Sequence, residues 1–207
     1  MTQYFEKVKN SFFQPFYITR IEKARSFGKE NFGNFDLPLI LFWFAVIDFY
    51  GGLYRIGIGK TKNRNIANKD GFKLFISTFF PSPYNECGEF IYNVFRNGIV
   101  HQISPKKAGI STNSNEKKLF WIEIDNKIAD PNHNKIAFIS IYQLTELTYS
   151  GFKKFIEILE NPNANYMCQN IYNVLLDKPD GLNDGKILND EFNKITDKIC
   201  IIEKGIF

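Results

Sequence analysis

Residues 37–54 read LPLILFWFAVIDFYGGLY, the strongest apolar run of the chain. Asp48 and the glycines at 51 and 52 interrupt this run. They leave about ten consecutive apolar residues before the acid, well short of the ~20 that a membrane span needs. Asp36 and Pro38 signal a helix start, because an Asp cap and a first-turn proline both suit the unpaired amides there. A helix that is apolar on most sides is typical of a bundle centre. The stretch therefore predicts a core helix surrounded by other helices.

The flanking sequence predicts more helices and one pair of strands. Pro15 either kinks one N-terminal helix or divides two. The stretches LFWIEI (119–124) and KIAFISIY (135–142) alternate apolar and polar residues on either side of turn residues, which indicates a β-hairpin. We therefore expect a mainly α fold, a bundle of about six helices with a small β-hairpin insertion. Besides the core helix, the helical segments are 3–27, 71–80, one starting near Tyr84, 144–159, 163–176 and a weaker one at 189–199.

Length and composition indicate one globular domain. A chain of 207 residues suits a single domain, with 1–105 as the helical core, 106–142 as the loop and β-hairpin, and 143–207 as further helices completing the bundle. The net charge is +4, but residues 1–110 hold 15 Lys and Arg against 8 Asp and Glu, whereas 111–207 hold 11 against 14. This asymmetry is consistent with a polyanion approaching the first half, or with an ordinary solvated surface.

The cysteines and the N-terminus bear on location and metal binding. Cys87, Cys168 and Cys200 are far apart, and no Cys/His spacing in the chain suits zinc. We interpret them as reduced thiols of a cytoplasmic protein that needs no metal or cofactor. The opening residues MTQYFEKVKNSFF lack the apolar stretch of a signal peptide, which agrees with that interpretation.

The segment GIGKT at 57–61 resembles the end of a phosphate-binding loop, but its context argues against one. Such a loop needs a glycine at the position that Tyr54 occupies, because the backbone amides must wrap the phosphates. It also follows a strand, whereas the preceding residues here predict helix. We expect instead an exposed basic loop containing Lys60, Lys62 and Arg64.

The stretch YNVFRNGIVHQ (92–102) places Arg96, Asn97 and His101 in a segment that otherwise reads as buried helix. These groups suit RNA cleavage without a metal. An imidazole can take a proton from a ribose 2′-hydroxyl or give one to the leaving oxygen, and a guanidinium can hold the phosphate through two hydrogen bonds. Asn97 could position either group. In the alternative interpretation, His101 caps a helix end, Arg96 pairs with a surface acid, and neither group reacts.

The segment FRNGIVH resembles the Arg-x-x-x-x-His signature of the HEPN superfamily, and the helical order before it is also similar. The resemblance implies a helical bundle that dimerises by bringing together the motif helices of two subunits around one cleft. In catalytic members that cleft is a metal-independent endoribonuclease, often a toxin or an antiphage defence protein. Arg96 and His101 would then be catalytic and Asn97 supportive, with Lys60, Lys62 and Arg64 holding the RNA backbone. Many members bind without cutting, so a non-catalytic module for dimerisation, RNA binding or partner binding is the alternative.

Overall fold

The computed structural model describes residues 3–13, 16–31, 36–62, 68–98, 108–124 and 135–175. Within these ranges the chain is mainly helical and carries a small three-stranded sheet. The helices and strands, in chain order, are α1 (Gln3–Phe12), α2 (Phe16–Asn31), α3 (Asp36–Gly57), α4 (Lys69–Phe79), α5 (Gly88–Phe90), β1 (Ala108–Ser111), β2 (Phe120–Ile124), β3 (Lys135–Ser140), α6 (Ile141–Glu160) and α7 (Asn165–Leu175).

Helix α3 is the central helix that its sequence predicts. It packs against α4, α6 and α7, and Trp43, Ile47 and Leu53 have no exposed surface. The ring of Tyr50 lies 4.8 Å from that of Phe152 and 5.6 Å from that of Phe13, between centroids. By length and composition α3 could cross a membrane, but 61% of its most apolar window is buried inside the protein. That burial fits the core helix that the sequence predicts.

Three glycines allow α3 and α4 to approach closely. A Cβ atom on Gly51 would lie 2.1 Å from the carbonyl oxygen of Gly71, and one on Gly71 would lie 2.9 Å from the amide nitrogen of Gly52. Real Cβ atoms do not come this near to backbone atoms, so larger residues would separate the two helices. The glycines that interrupt the apolar run are therefore a packing surface.

The sheet confirms the predicted hairpin pairing and adds one strand. β2 and β3 are antiparallel, as the strands of a hairpin must be, and Trp121 lies opposite Phe138. β1 lies parallel to β3 on its other side, giving the order β1-β3-β2, in a stretch that we expected to be loop. Gly109 of β1 is paired with Phe138.

Residues 141 and 142 are helical, so the predicted second strand is two residues too long. Ser140 caps α6, its side-chain oxygen accepting a hydrogen bond from the amide of Gln143 at 3.2 Å. A serine cap satisfies one of the unpaired amides of the first turn, which favours helix from the next residue onward. The predicted helices at 3–27, 71–80, 144–159 and 163–176 agree with the observed ones within a few residues, and Phe12 and Phe16 bound two helices on either side of Pro15. The weaker helix predicted at 189–199 lies outside the described residues.

The segment with the Arg96 motif does not begin as a regular helix. A 3-10 turn, Tyr84–Glu86, precedes the single α turn of α5, and a π-helical segment, Ile91–Arg96, follows. Ile91 and Phe95 have no exposed surface, so this segment packs against the core as the apolar spacing predicts. The last residue of the π-helical segment is Arg96.

Candidate functional site

Arg96 forms an ion pair with Asp48, a buried acid in the middle of α3. Its Nε and Nη2 atoms donate hydrogen bonds to the same carboxylate oxygen, Oδ2, at 3.1 Å and 3.0 Å. The Asp48 side chain is 7% exposed and that of Arg96 is 17% exposed. The guanidinium also lies over the ring of Tyr92, with its Cζ atom 5.1 Å from the centroid. Arg96 is thus held from two sides, and its partner is a core acid rather than the surface acid of our alternative interpretation.

The Asp48 carboxylate is buried, but only one of its two oxygens accepts hydrogen bonds from the described residues. Its second oxygen, Oδ1, is buried and accepts no hydrogen bond from the residues described. Burial raises the pKa of Asp48 above its ordinary value, although the charge and the hydrogen bonds of Arg96 act in the opposite direction. Replacing a buried pair by well-packed apolar residues is often neutral or stabilising. Stability alone therefore does not account for an acid at this position.

Asn97 shares the site with Arg96. The Nη1 atom of Arg96 donates a hydrogen bond to the side-chain oxygen of Asn97 at 3.2 Å. A guanidinium has five N–H groups, and Asp48 and Asn97 together accept from three of them. One N–H on Nη1 and one on Nη2 are left without an acceptor among the described residues. Two such groups on adjacent nitrogens are the arrangement that binds a phosphate through paired hydrogen bonds.

His101 follows Arg96 by five positions and lies outside the described residues, as do Arg64 and Cys200. Of the two cysteines that the structure describes, Cys168 is buried and Cys87 is partly buried, and both are free thiols. Burial raises the pKa of Cys168 to about 11 and also raises the pKa of Cys87, so neither is an activated nucleophile.

Lys60 and Lys62 lie in an exposed turn after the end of α3, whereas Arg96 pairs with Asp48 in the middle of that helix. The amide of Lys60 donates to the carbonyl of Arg55 at 3.0 Å, and Gly59 adopts a φ of 76°, so the chain turns directly off the helix end. From Asp48 to Gly57 the axis of α3 rises about 14 Å. Helix α3 leads directly into this turn, whereas a P-loop follows a strand, so the turn agrees with the predicted basic loop.

Sequence reasoning missed Asp48 and Tyr92 as members of this site. In the sequence, Asp48 is noted only as the charge that interrupts the apolar run. Its pairing cannot be seen there because Arg96 lies 48 residues further along the chain. One signal was present: an acid in a helix that is apolar on most sides needs a cationic or hydrogen-bonding partner. Arg96 lies in residues 92–102, the other segment whose sequence predicts a buried helix, which makes it a candidate partner for Asp48.

Within the described ranges, no group of three or more His, Cys, Asp or Glu residues is placed to hold a metal ion. The chain matches no family model, no curated protein and no solved structure.

Proposed function

We propose that this chain is a metal-independent endoribonuclease of HEPN type, with Arg96 as phosphate clamp and His101 as general acid or base. The observation that carries the proposal is the Asp48–Arg96 pair, which holds a guanidinium at the end of a π-helical segment five residues before the histidine. π-Helical segments occur frequently at functional sites. A buried acid of raised pKa beside a specific charge partner is a further mark of such sites.

The proposed reaction uses only protein side chains. The imidazole of His101 removes the proton from a ribose 2′-hydroxyl, whose oxygen attacks the adjacent phosphorus. The bond to the 5′-oxygen breaks, and this oxygen takes a proton from the protonated imidazole of the partner subunit's His101, so the products carry a 2′,3′-cyclic phosphate and a 5′-hydroxyl. The two remaining N–H groups of Arg96 donate to the phosphate oxygens as negative charge accumulates there. Asn97 holds the guanidinium in plane with those oxygens.

The proposal includes a homodimer and a cytoplasmic location. Two copies of Arg96, Asn97 and His101 would share one cleft, and Lys60, Lys62 and Arg64 would contact the RNA backbone outside it. Control by a cognate antitoxin or another partner protein fits an enzyme that cuts RNA inside the cell.

The test is incubation of the purified protein with mixed RNA in EDTA, with the ends of the products identified. We expect cleavage by wild type, and a loss of about a hundredfold or more in His101→Ala. Arg96→Lys keeps the charge but loses the planar pair of donors, so its activity should also fall. No cleavage by wild type, or equal cleavage by His101→Ala, would contradict the proposal.

A matched control exists in the Arg25–Glu146 pair. Arg25 donates from Nε and Nη2 to the Glu146 carboxylate at 2.9 Å and 2.5 Å and lies 4.3 Å from the ring centroid of Tyr149. This pair has the same chemistry as the Asp48–Arg96–Tyr92 group but joins α2 to α6. Arg25→Lys should therefore leave RNA cleavage unchanged.

A second candidate function is a non-catalytic helical module. The favouring observation is that Asp48 already accepts two hydrogen bonds from Arg96, whose side chain is 17% exposed. In this case Arg96 fixes the fold or a dimer surface, and His101→Ala alters association or partner binding. Light scattering of wild type and His101→Ala separates the two candidates: a change in mass without any RNA cleavage favours the module.

A further inference from the structure

One face of the sheet carries two aromatic rings that the helical core does not use. On the other face, Phe120 packs against the rings of Tyr84 and Phe90, at 5.7 Å and 5.3 Å between centroids. Successive strand residues point to opposite faces, so Trp121 lies on the side away from these contacts. Its cross-strand partner Phe138 shares that side. Both rings are only half-buried.

The two rings have nearly parallel planes. Their centroids are 5.6 Å apart and the planes differ by 14°. The indole nitrogen of Trp121 donates a hydrogen bond to the Glu123 carboxylate at 2.7 Å, which fixes the orientation of the larger ring. The pair is therefore ordered before any ligand arrives, so binding to it costs little side-chain entropy.

Gly109 gives Phe138 its place on the sheet. A Cβ atom at position 109 would lie 2.4 Å from Cε1 and 2.6 Å from Cδ1 of the Phe138 ring. The ring thus occupies the space above β1 that a side chain would fill. Any other residue at 109 would push the ring away and break the alignment with Trp121.

The rings line a shallow depression with a polar rim. Ser111, Thr112 and Asn113 form part of the rim, and Glu123 lies beside Trp121. The side-chain oxygen of Asn113 accepts from the amide of Asn115 at 3.0 Å, so its NH₂ group stays available to a ligand. The same loop continues into Lys117 and Lys118, which are exposed.

We propose that the Trp121–Phe138 pair binds an unpaired nucleobase of a single-stranded nucleic acid. Flat bases stack on protein aromatics, whatever the sequence, because every base has a π-face. The amide of Asn113 can bond to a base edge, and Lys117 or Lys118 can contact a phosphate. The choice of RNA as the natural ligand rests on the proposed function; the stacking site itself rests on the rings. An oligosaccharide is the competing ligand, since sugar rings also pack on tryptophan.

Intrinsic fluorescence tests this directly, because the chain has two tryptophans and Trp43 has no exposed surface. The probe is a short 2′-O-methyl RNA oligonucleotide, which lacks the 2′-hydroxyl nucleophile and so cannot be cut by the proposed reaction. We expect saturable quenching by the single strand and much weaker binding of the same oligonucleotide in a duplex. In Trp121→Ala, measured by anisotropy of a labelled probe, affinity should fall about tenfold. Because stacking rather than charge supplies this difference, the ratio should be similar at low and high salt.

Two variants guard against a merely misfolded sheet. Trp121→Phe retains a stacking ring and should bind within a few fold of wild type. Tyr166→Ala removes an aromatic side chain that is 55% exposed on α7, and it should leave affinity unchanged. No quenching by the oligonucleotide, equal loss in Tyr166→Ala, or quenching by a linear oligosaccharide instead would overturn the proposal. If the protein cleaves RNA but its affinity does not depend on Trp121, only the stacking site is contradicted. If binding depends on Trp121 but no RNA is cleaved, the stacking site is supported and the ribonuclease activity is contradicted.

Discussion

Arg96 donates two hydrogen bonds to a single oxygen of Asp48, and the other oxygen of that carboxylate is buried without a donor among the described residues. The pair is therefore asymmetric: Asp48 depends on Arg96, while the guanidinium retains N–H groups for another acceptor. Replacing Arg96 and replacing Asp48 should therefore change the stability of the protein by different amounts.

Arg96→Met should destabilise the protein by about 3 kcal/mol at neutral pH, because it leaves a buried carboxylate without its cation. Without Arg96, the pKa of Asp48 rises further, since burial then acts unopposed. A folded-state pKa above the unfolded value means that the folded state binds more protons between the two values, so stability falls as pH rises through that interval. Urea denaturation should thus show a smaller deficit near pH 4 than at pH 7.

The control for this pH dependence is the double variant Asp48→Asn/Arg96→Met. It has no carboxylate to titrate, so its stability relative to Asp48→Asn should not change between the two pH values. Asp48→Asn alone should cost no more than about 1 kcal/mol, because a neutral amide is cheaper to bury and its oxygen still accepts from Arg96. A pH-independent deficit in Arg96→Met would show that Asp48 is not the group responsible.

How far the sequence predicts this structure depends on the range of the interactions involved. Most of the described helices follow from local apolar spacing, and the β2–β3 pairing follows from alternation across turn residues. The π-helical segment Ile91–Arg96 does not follow from that spacing. β1 has no such signal: Ala108, Gly109 and Ser111 have low strand preference, and the strand forms where Gly109 makes room for a ring from β3. The Asp48–Arg96 pair is equally non-local. The two residues can be identified in the sequence, but their contact cannot be predicted from it.

Asp48→Asn should lower the rate of RNA cleavage by about tenfold if Arg96 is the phosphate clamp. The neutral amide holds the guanidinium less firmly, and a catalytic group that is free to turn loses part of its effect in the transition state. The loss should appear in kcat, with KM nearly unchanged, and with the midpoint of urea unfolding close to that of wild type. Unchanged kcat in a folded Asp48→Asn protein would mean that the acid does not position Arg96 for catalysis.

Gly51→Ala should destabilise the fold by about 3 kcal/mol, near the upper end of overpacking effects. The added Cβ would meet the backbone carbonyl of Gly71 at 2.1 Å, and neither helix can yield there without separating from the other. Gly57→Ala is the comparison: its Cβ would meet the terminal methyl of Met167 at 3.2 Å, and a methionine end can move. Thermal unfolding should rank Gly51→Ala well below Gly57→Ala, and equal melting temperatures would contradict the close helix contact.

Glu89→Gln should weaken the junction of α4 with α5 in a pH-dependent way. Glu89 pairs with Lys69 and Lys73 and accepts from Asn93 at 2.9 Å; these partners lower its pKa to about 2. A depressed folded-state pKa stabilises the fold above the unfolded value, and this contribution is lost as pH falls from about 4.5 towards 2. The Glu89 side chain is exposed, so the change in melting temperature should be small at pH 7, smaller near pH 3, and reduced by molar salt. Glu86→Gln, at an exposed acid with no ion pair among the described residues, is the matched control, and an equal effect at both sites would refute the network.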